Sequence, residues 1–311
     1  MLDQRMRDRL ADSLDYLCGQ VGEPLALGRE QIAQTVASVR AQPQSPQLFG
    51  TYYDLVFALE QDQLDRARKL ARELVSTGYE EAVPTTGAHV GAIDDRPQAH
   101  AERCRRLFLP TPEMAEPPDA VILGECRRRV DDAFDLLDRG FPQLAAEIRA
   151  LLREIVVATG PEDPKALTFD GASCFMLWGA ILLNARGQKT VLDTAQALAH
   201  ESGHNLLFGF CASGPLTDSP DDELFHSPLR ADPRPMDGVI HATYVIARMH
   251  QTLQRLLSVG VLDDEQAEAA RADLVLHRRN FHAGNEVIEQ GGHLTELGHA
   301  LMTSAREHMA S

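Results

Sequence analysis

Cysteine and aromatic side chains are scarce in this 311-residue chain. The five cysteines are odd in number, lie far apart and form no C-x-x-C pair, and aromatic residues make up only 5% of the sequence. A chain of this length can bury a large core without covalent help, so neither a disulfide framework nor a structural zinc site is required. The cysteine pattern is typical of a reducing compartment, and we expect a cytoplasmic protein.

Long apolar runs are also missing. No stretch of the sequence approaches the roughly 18 uninterrupted apolar residues that a membrane helix needs. Residues 1–10 carry charge throughout, so this segment lacks the apolar region of a secretory signal. We therefore expect neither export nor a membrane partner.

Basic residues are outnumbered by acidic ones. Acidic side chains number 46 and basic ones 30, which gives a formal net charge of -16. Such a surface repels phosphate backbones and anionic lipids at long range, so nucleic acid is not expected as a partner. A neutral or cationic peptide remains compatible with this charge, although a need for solubility would produce the same excess.

The composition favours a predominantly α-helical α+β protein, because Ala, Leu, Arg, Glu and Asp are abundant and β-branched runs are few. Apolar spacing predicts long helices at 52–75 and 142–157, whereas the apolar run at 174–183 predicts one or two buried strands. A stretch rich in Pro, Gly and Asp at 80–118 is expected to be irregular. It divides the chain into a helical N-terminal region at 1–118 and a metal-binding region at 119–311, unless both form one continuous domain.

Residues 200–204 read H-E-S-G-H, a spacing that suits a metal-binding helix. Residues four apart lie about one turn apart on an α-helix, so His200 and His204 can direct both imidazoles at one cation while Glu201 lies beside it. The segment D-T-A-Q at 193–196 is interpreted as a reciprocal N-terminal cap of this helix. We expect a small sheet to flank the helix, in a core loosely like that of the zincins. Two ordinary helix histidines are the alternative interpretation.

A third ligand is needed, because catalytic metals usually take three protein ligands. The extended pattern H-E-x-x-H-x-x-G-x-x-H is excluded, since Leu207 and Phe210 occupy its last two defined positions. A helix predicted to begin near Met236 offers His241, which is our leading candidate. Three competitors lie on a predicted irregular loop at 209–235, namely Asp218, Glu223 and His226. The remaining histidines show no paired ligand spacing, so no second metal site is predicted.

Two arginines lie between the motif and His241. Arg230 and Arg234 fall within residues 227–235, where three prolines stiffen the backbone. Guanidinium groups bind carboxylates in a bidentate manner, so both side chains are candidates for holding a carboxylate ligand. Solvated surface arginines are the alternative interpretation for each of them.

The motif and the arginine segment also carry a family resemblance. Residues 199–204, 227–235 and 238–241 resemble the HExxH-type peptide β-hydroxylases, which are encoded beside ribosomally made peptides. The pattern S-P-x-R-x-D-P-R-P at 227–235 is the specific part, since H-E-x-x-H alone is common. Further similar segments extend the resemblance over nearly the whole chain: 52–70, 141–148, 171–173 and 294–298.

The resemblance implies an Fe(II)- and 2-oxoglutarate-dependent oxygenase that uses O2 to hydroxylate a β-carbon in a precursor peptide. With His200, His204 and His241 as ligands, three of six iron positions would remain for 2-oxoglutarate and dioxygen. Arg230 or Arg234 would bind the distal carboxylate of the cosubstrate. Glu201 would orient a water molecule or the substrate near the iron.

Two other hypotheses stand beside this one. A zinc metallopeptidase with the same motif would use Glu201 as the general base on the metal-bound water. A non-enzymatic peptide-binding or scaffold protein would keep only a degenerate metal site. Failure to bind any divalent metal would favour the scaffold.

Overall fold

The computed structural model describes residues 2–25, 27–76, 87–161, 168–227 and 230–310, with the backbone alone at 20–24, 230 and 231. The chain divides into two units. One comprises Met1–Leu123 and Arg149–Arg186, and the other comprises Gly124–Ile148 and Gly187–Ser311. Residues 149–186, which we expected in the metal-binding region, therefore fold with the N-terminal residues.

Helices dominate the first unit, as the composition predicts. Their bounds are Leu2–Leu25 (α1), Arg29–Ala41 (α2), Pro46–Glu60 (α3), Leu64–Ser76 (α4) and Gln98–Phe108 (α5). The expectation of an irregular stretch at 80–118 is wrong for its described part, which contains α5 and a short strand. None of the described helices in either unit is long and apolar enough to cross a membrane.

A predicted single helix at 52–75 is in fact two. α3 ends at Glu60 and α4 begins at Leu64, and between them Asp62 has a left-handed backbone with φ of 56°. A residue in that conformation cannot continue a right-handed helix. The apolar spacing continues across the break because both helices bury one face, so periodicity alone did not reveal the turn.

A mixed four-stranded sheet lies in the first unit and confirms that the chain contains a small sheet, whereas its expected position beside the motif helix and the zincin-like core stay predictions. Its strands are His89–Ala92 (β1), Glu154–Ala158 (β2), Gly171–Ser173 (β3) and Ala180–Asn184 (β4). Their order is β1-β2-β4-β3, with β1, β2 and β4 parallel and β3 antiparallel to β4. The apolar run at 174–183 thus supplies β4, as predicted, although residues 175–177 form a short 3₁₀ turn.

The predicted helix at 142–157 is wrong in its second half. The helix stops at Leu151, and β2 follows as a central strand between two parallel neighbours. Ile155, Val156 and Val157 are fully buried, because both faces of such a strand are covered. A short apolar run of this kind cannot be assigned to helix or strand by periodicity, and the β-branched side chains were the available signal.

The second unit contains the motif helix. Its helices are Ala120–Gly140 (α6, from Gly124 onward), Pro142–Leu151 (α7, up to Ile148), Val191–Cys211 (α8), Met236–Val259 (α9), Asp264–Gly291 (α10) and Glu296–Ala310 (α11). Apolar side chains of α8, α9, α10 and α11 share one core cluster that includes Leu207, Ile240, Phe281 and Met302. This cluster fixes the positions of α8 and α9, which carry the candidate ligands.

The predicted loop at 209–235 is not wholly irregular. Its second half contains an antiparallel pair of strands, Leu224–Ser227 (β5) and Arg230–Pro235 (β6), with a register shift between Phe225 and Ser227. Phe225 packs so closely on Gly291 of α10 that a side chain at that glycine would meet its ring at 2.6 Å. The hairpin is thereby anchored to the second unit, and β6 leads directly into α9.

Candidate metal centre

The motif lies in the middle of α8, whose N-terminus is well capped. The Thr190 hydroxyl accepts from the Asp193 backbone N–H at 3.0 Å, and the Asp193 carboxylate accepts from the Thr190 N–H at 3.0 Å. This capping box starts three residues before the one we predicted at 193–196, because Asp193 is the last residue of the box, at position N3, and not its first. Residues 200–204 therefore follow more than two turns of regular helix.

The two motif histidines face one another closely enough to share a metal. Their Nε2 atoms are 3.3 Å apart, and one ligand atom each from His200, Glu201 and His204 lies within 4.8 Å of the others. Imidazole nitrogens bound at about 2.0–2.1 Å to a tetrahedral ion lie roughly 3.4 Å apart. The described donor set therefore fits a divalent transition metal without rearrangement of the helix.

Glu201 lies beside this pair and is almost fully buried, at 5% exposure. Its Oε1 is 4.0 Å from His200 Nε2, too far for a hydrogen bond and within ion-pair distance. The carboxylate therefore lies next to the candidate metal position, where it can either take part in binding the ion or act on a molecule bound to it.

His241 is brought against the motif by the packing of α9 on α8. Its ring stacks on the His204 ring, with centroids 5.4 Å apart and planes 15° apart, and the two Nδ1 atoms are 3.1 Å apart. Burial lowers the pKa of His241, while Asp237 at 3.8 Å acts in the opposite direction. A neutral imidazole is the form that binds a metal.

His204 uses both of its ring nitrogens in these contacts. Nε2 faces His200 and Nδ1 faces His241, so the three rings form a chain. Since one imidazole cannot direct both nitrogens at one ion, two roles for His241 follow. It becomes a ligand after rotation of its ring, or it orients His204 from the side away from the metal, as outer partners of metal-bound histidines commonly do.

The three competing ligands are placed differently. Asp218, Glu223 and His226 are all exposed. The close group of metal-binding side chains in the described residues consists of His200, Glu201 and His204, and it includes neither these three competitors nor His241. His241 is 7% exposed and touches the motif. Among the sequence candidates, the structure brings only His241 to the motif histidines.

No protein-family model and no curated protein matches this sequence. The resemblance to peptide β-hydroxylases therefore stays a prediction.

Arg234 lies over the same face of α9 as His241. A Cβ placed on Gly238 would lie 3.6 Å from Arg234 Cβ, and Gly238 and His241 are neighbours on one helix face because they are three residues apart. The guanidinium pairs at 3.4 Å with Asp232, a largely exposed carboxylate. Such an exposed pair is weak, so a ligand carboxylate can replace Asp232. For Arg230 the strand backbone is described, whereas its side chain lies outside the described residues.

Arg248 is a basic residue beside the motif that was not among the candidates predicted from the sequence. It lies seven residues after His241, so the helical period places both on one face of α9. That spacing predicts that Arg248 and His241 share a helix face. Only the contact between α8 and α9 shows that this face lies against the motif.

Proposed function

We propose that this chain is an Fe(II)- and 2-oxoglutarate-dependent oxygenase that hydroxylates a β-carbon of one residue in a ribosomally made precursor peptide. The observation that carries the proposal is the group formed by His200, His204 and the buried His241, beside an arginine-bearing strand. The balanced reaction converts peptide C–H, O2 and 2-oxoglutarate to peptide C–OH, succinate and CO2.

His200 and His204 would hold the iron, with His241 as the third ligand. When bound, Fe(II) supplies the redox chemistry that activates O2 and couples its reduction to the decarboxylation of 2-oxoglutarate. Three protein ligands leave open positions for both cosubstrates. Neutral imidazoles suit this role, and the burial of His241 keeps it neutral.

Arg234 would bind the distal carboxylate of 2-oxoglutarate, with Arg230 as the neighbouring candidate. Arg234 lies over the His241 face of α9, and its present partner Asp232 is exposed. A bidentate guanidinium contact would hold the cosubstrate in one orientation. Binding of the cosubstrate then displaces Asp232 into solvent.

A zinc metallopeptidase is the second candidate, and a specific observation favours it. Glu201 is buried with its carboxylate 4.0 Å from His200, in the place where a hydrolase needs a general base. The zincin-like core that we predict from the sequence would accompany this peptidase function. In the oxygenase, Glu201 only orients a water molecule or the substrate, so Glu201→Gln would leave partial hydroxylation but would abolish peptide cleavage.

The test begins with anaerobic purification and reconstitution with Fe(II). Succinate formed from 2-oxoglutarate in air is measured with and without the precursor peptides encoded beside the gene, and zinc-loaded protein is assayed in parallel. We expect iron-dependent succinate and a peptide mass gain of one oxygen. Zinc-dependent cleavage without succinate would instead establish the peptidase.

Matched histidine variants complete the experiment. His204→Ala removes a proposed ligand, whereas His299→Ala changes an exposed histidine on α11 of the same unit. Loss of succinate in the first variant and retention in the second is the expected result. Equal activity in both variants would show that the motif does not bind the catalytic metal.

A further inference from the structure

Arg248 crosses the motif helix at close range. Its Nε–H donates to the Ala199 carbonyl at 3.4 Å, on the residue just before His200. Its aliphatic stem lies directly over Gly203, the fourth residue of the motif. The arginine therefore touches α8 on both sides of the first ligand.

Gly203 makes this crossing possible. A Cβ at residue 203 would lie 2.9 Å from Arg248 Cδ and 3.0 Å from Val245 Cγ1. Any side chain at this position would push α9 away from α8 or displace the arginine. The glycine inside H-E-S-G-H thus has a packing function, which is to let the two ligand-bearing helices approach closely.

The head of Arg248 is held by one further residue. Its NH2 group donates to Glu147 Oε1 of α7 at 2.6 Å. The side chain of Arg248 is only 11% exposed, so its charge needs the Glu147 carboxylate as a partner. The contacts with Ala199 and Glu147 hold the guanidinium from two sides.

We call the contacts of Arg248 with Ala199, Gly203 and Glu147 the Arg248 clamp. The clamp lies about two turns along α9 from His241, since seven residues at 1.5 Å each span about 10.5 Å. The His204–His241 contact forms one junction of α8 and α9, and the Arg248 contacts at Gly203 and Ala199 form a second. Two separated junctions fix both the distance and the crossing angle of a helix pair. The shared apolar core holds α8 and α9 together, and the Arg248 junction adds a polar restraint directly beside the motif.

We propose that Arg248, anchored by Glu147, is the positioning residue of the metal centre. It fixes α8 against α9, so that the histidines of both helices stay at one metal position. The inference rests on the proposed function, because it assigns the clamp to the same metal site. It adds a residue that binds neither metal nor substrate.

The test compares Arg248→Met and Arg248→Lys with Arg306→Met. Arg306 is a suitable control, because it makes a similar polar contact within the same unit, donating to Asn285 at 2.7 Å and pairing with Glu289. Co²⁺ replaces iron as the probe, and its affinity and visible absorption spectrum are measured. We expect Arg248→Met to weaken Co²⁺ binding about 10- to 100-fold, as outer-sphere changes do, and to shift the absorption bands. Arg248→Lys should regain part of the affinity, and Arg306→Met should change neither property.

A second measurement separates this inference from the proposed function. Amide hydrogen exchange of residues 199–204 is followed without metal, and faster exchange in Arg248→Met than in Arg306→Met supports the clamp. Should the wild-type protein bind no Co²⁺, the proposed function fails while exchange still decides the clamp. Equal exchange and an unchanged spectrum in the Arg248 and Arg306 variants would overturn the inference.

Glu147→Gln serves if Arg248→Met does not fold. This change keeps the arginine stem over Gly203 and removes only the charge of its partner carboxylate. A weaker Co²⁺ affinity together with faster exchange at 199–204 supports the clamp. Wild-type values of both quantities would overturn it.

Discussion

Two pairs of imidazoles in the second unit have nearly the same separation and different surroundings. The Nε2 atoms of His200 and His204 are 3.3 Å apart, and His250 Nδ1 is 3.2 Å from His308 Nε2. The first pair has Glu201 and His241 beside it. Around the second pair, no third metal-binding side chain completes a close group within the described ranges.

The charges around the second pair also oppose a cation. Burial lowers the pKa of His250 to about 4, and His308, Arg278 and His277 act in the same direction. All of these neighbours are positive or become positive on protonation. The distance between two nitrogens therefore does not define a metal site, because an ordinary hydrogen bond between neutral rings has the same length. A nearby carboxylate and a third donor distinguish the first pair.

The largest expected difference between the two pairs is in metal binding. His200→Ala or His204→Ala should weaken Co²⁺ binding by about 100-fold or more, since a ligand matters at least as much as an outer partner. His250→Ala should leave the affinity unchanged. Isothermal titration of the three variants measures the Co²⁺ affinity directly. A comparable loss in His250→Ala would show that the two imidazole pairs do not differ in metal binding.

The role of His241 gives the next largest effect. If His241 is a ligand, His241→Ala should weaken Co²⁺ binding about 100-fold. If His241 only orients His204, the same substitution should weaken binding about tenfold. X-ray absorption of the bound metal counts the coordinated imidazoles in the wild-type protein and in His241→Ala. We expect three in the first and two in the second. An unchanged count would assign His241 to orientation of His204.

Arg234 should act on the cosubstrate and not on the metal. Arg234→Gln should raise the KM for 2-oxoglutarate about tenfold, the effect of losing roughly 1.4 kcal/mol from a charged hydrogen bond. Asp232→Asn removes the exposed competitor and should lower the KM or leave it unchanged. Steady-state kinetics with saturating peptide measure both variants. A KM raised equally by both substitutions would indicate a general disturbance of β6.

The sequence was sufficient to predict that His200 and His204 face each other on one helix and that His241 lies on a later helix, because helix period acts locally. The role of His241 as a ligand stays a prediction. It placed His241 on a helix and the structure places that helix against the motif. It could not predict the Arg248 clamp. That contact joins Gly203 of α8 to the aliphatic stem of Arg248 of α9, and the shared apolar core brings the two helices together.

Errors in the predicted elements have different physical causes. The break at Asp62 lies in the polar run 60–63, which the apolar spacing of the flanking helices spans, whereas the strand at 154–158 is an apolar run whose partners the sequence does not show. An apolar run is compatible with a buried helix or a buried strand until its neighbours are known. The hairpin at 224–235 was missed because its prolines are typical of loops, although edge strands accept them.

The smallest predicted effect concerns stability in mild acid, where the second imidazole pair acts. Burial lowers the pKa of His250 in the folded protein to about 4, below its ordinary value of 6.5, so the unfolded chain takes up a proton first as the pH falls. The contribution of His250 to the free energy of unfolding is therefore fully present above pH 6.5 and is lost as the pH falls towards 4. His308→Phe removes a positive neighbour of His250 and also a second histidine whose pKa burial lowers. It should therefore reduce this loss by on the order of 1 kcal/mol between pH 7 and 5, measured by urea unfolding in the presence of chelator. His241 and His277 also have lowered pKa values and contribute with the same sign, but equally in both proteins. An identical pH dependence in wild type and His308→Phe would mean that the second imidazole pair does not contribute to the loss of stability in acid.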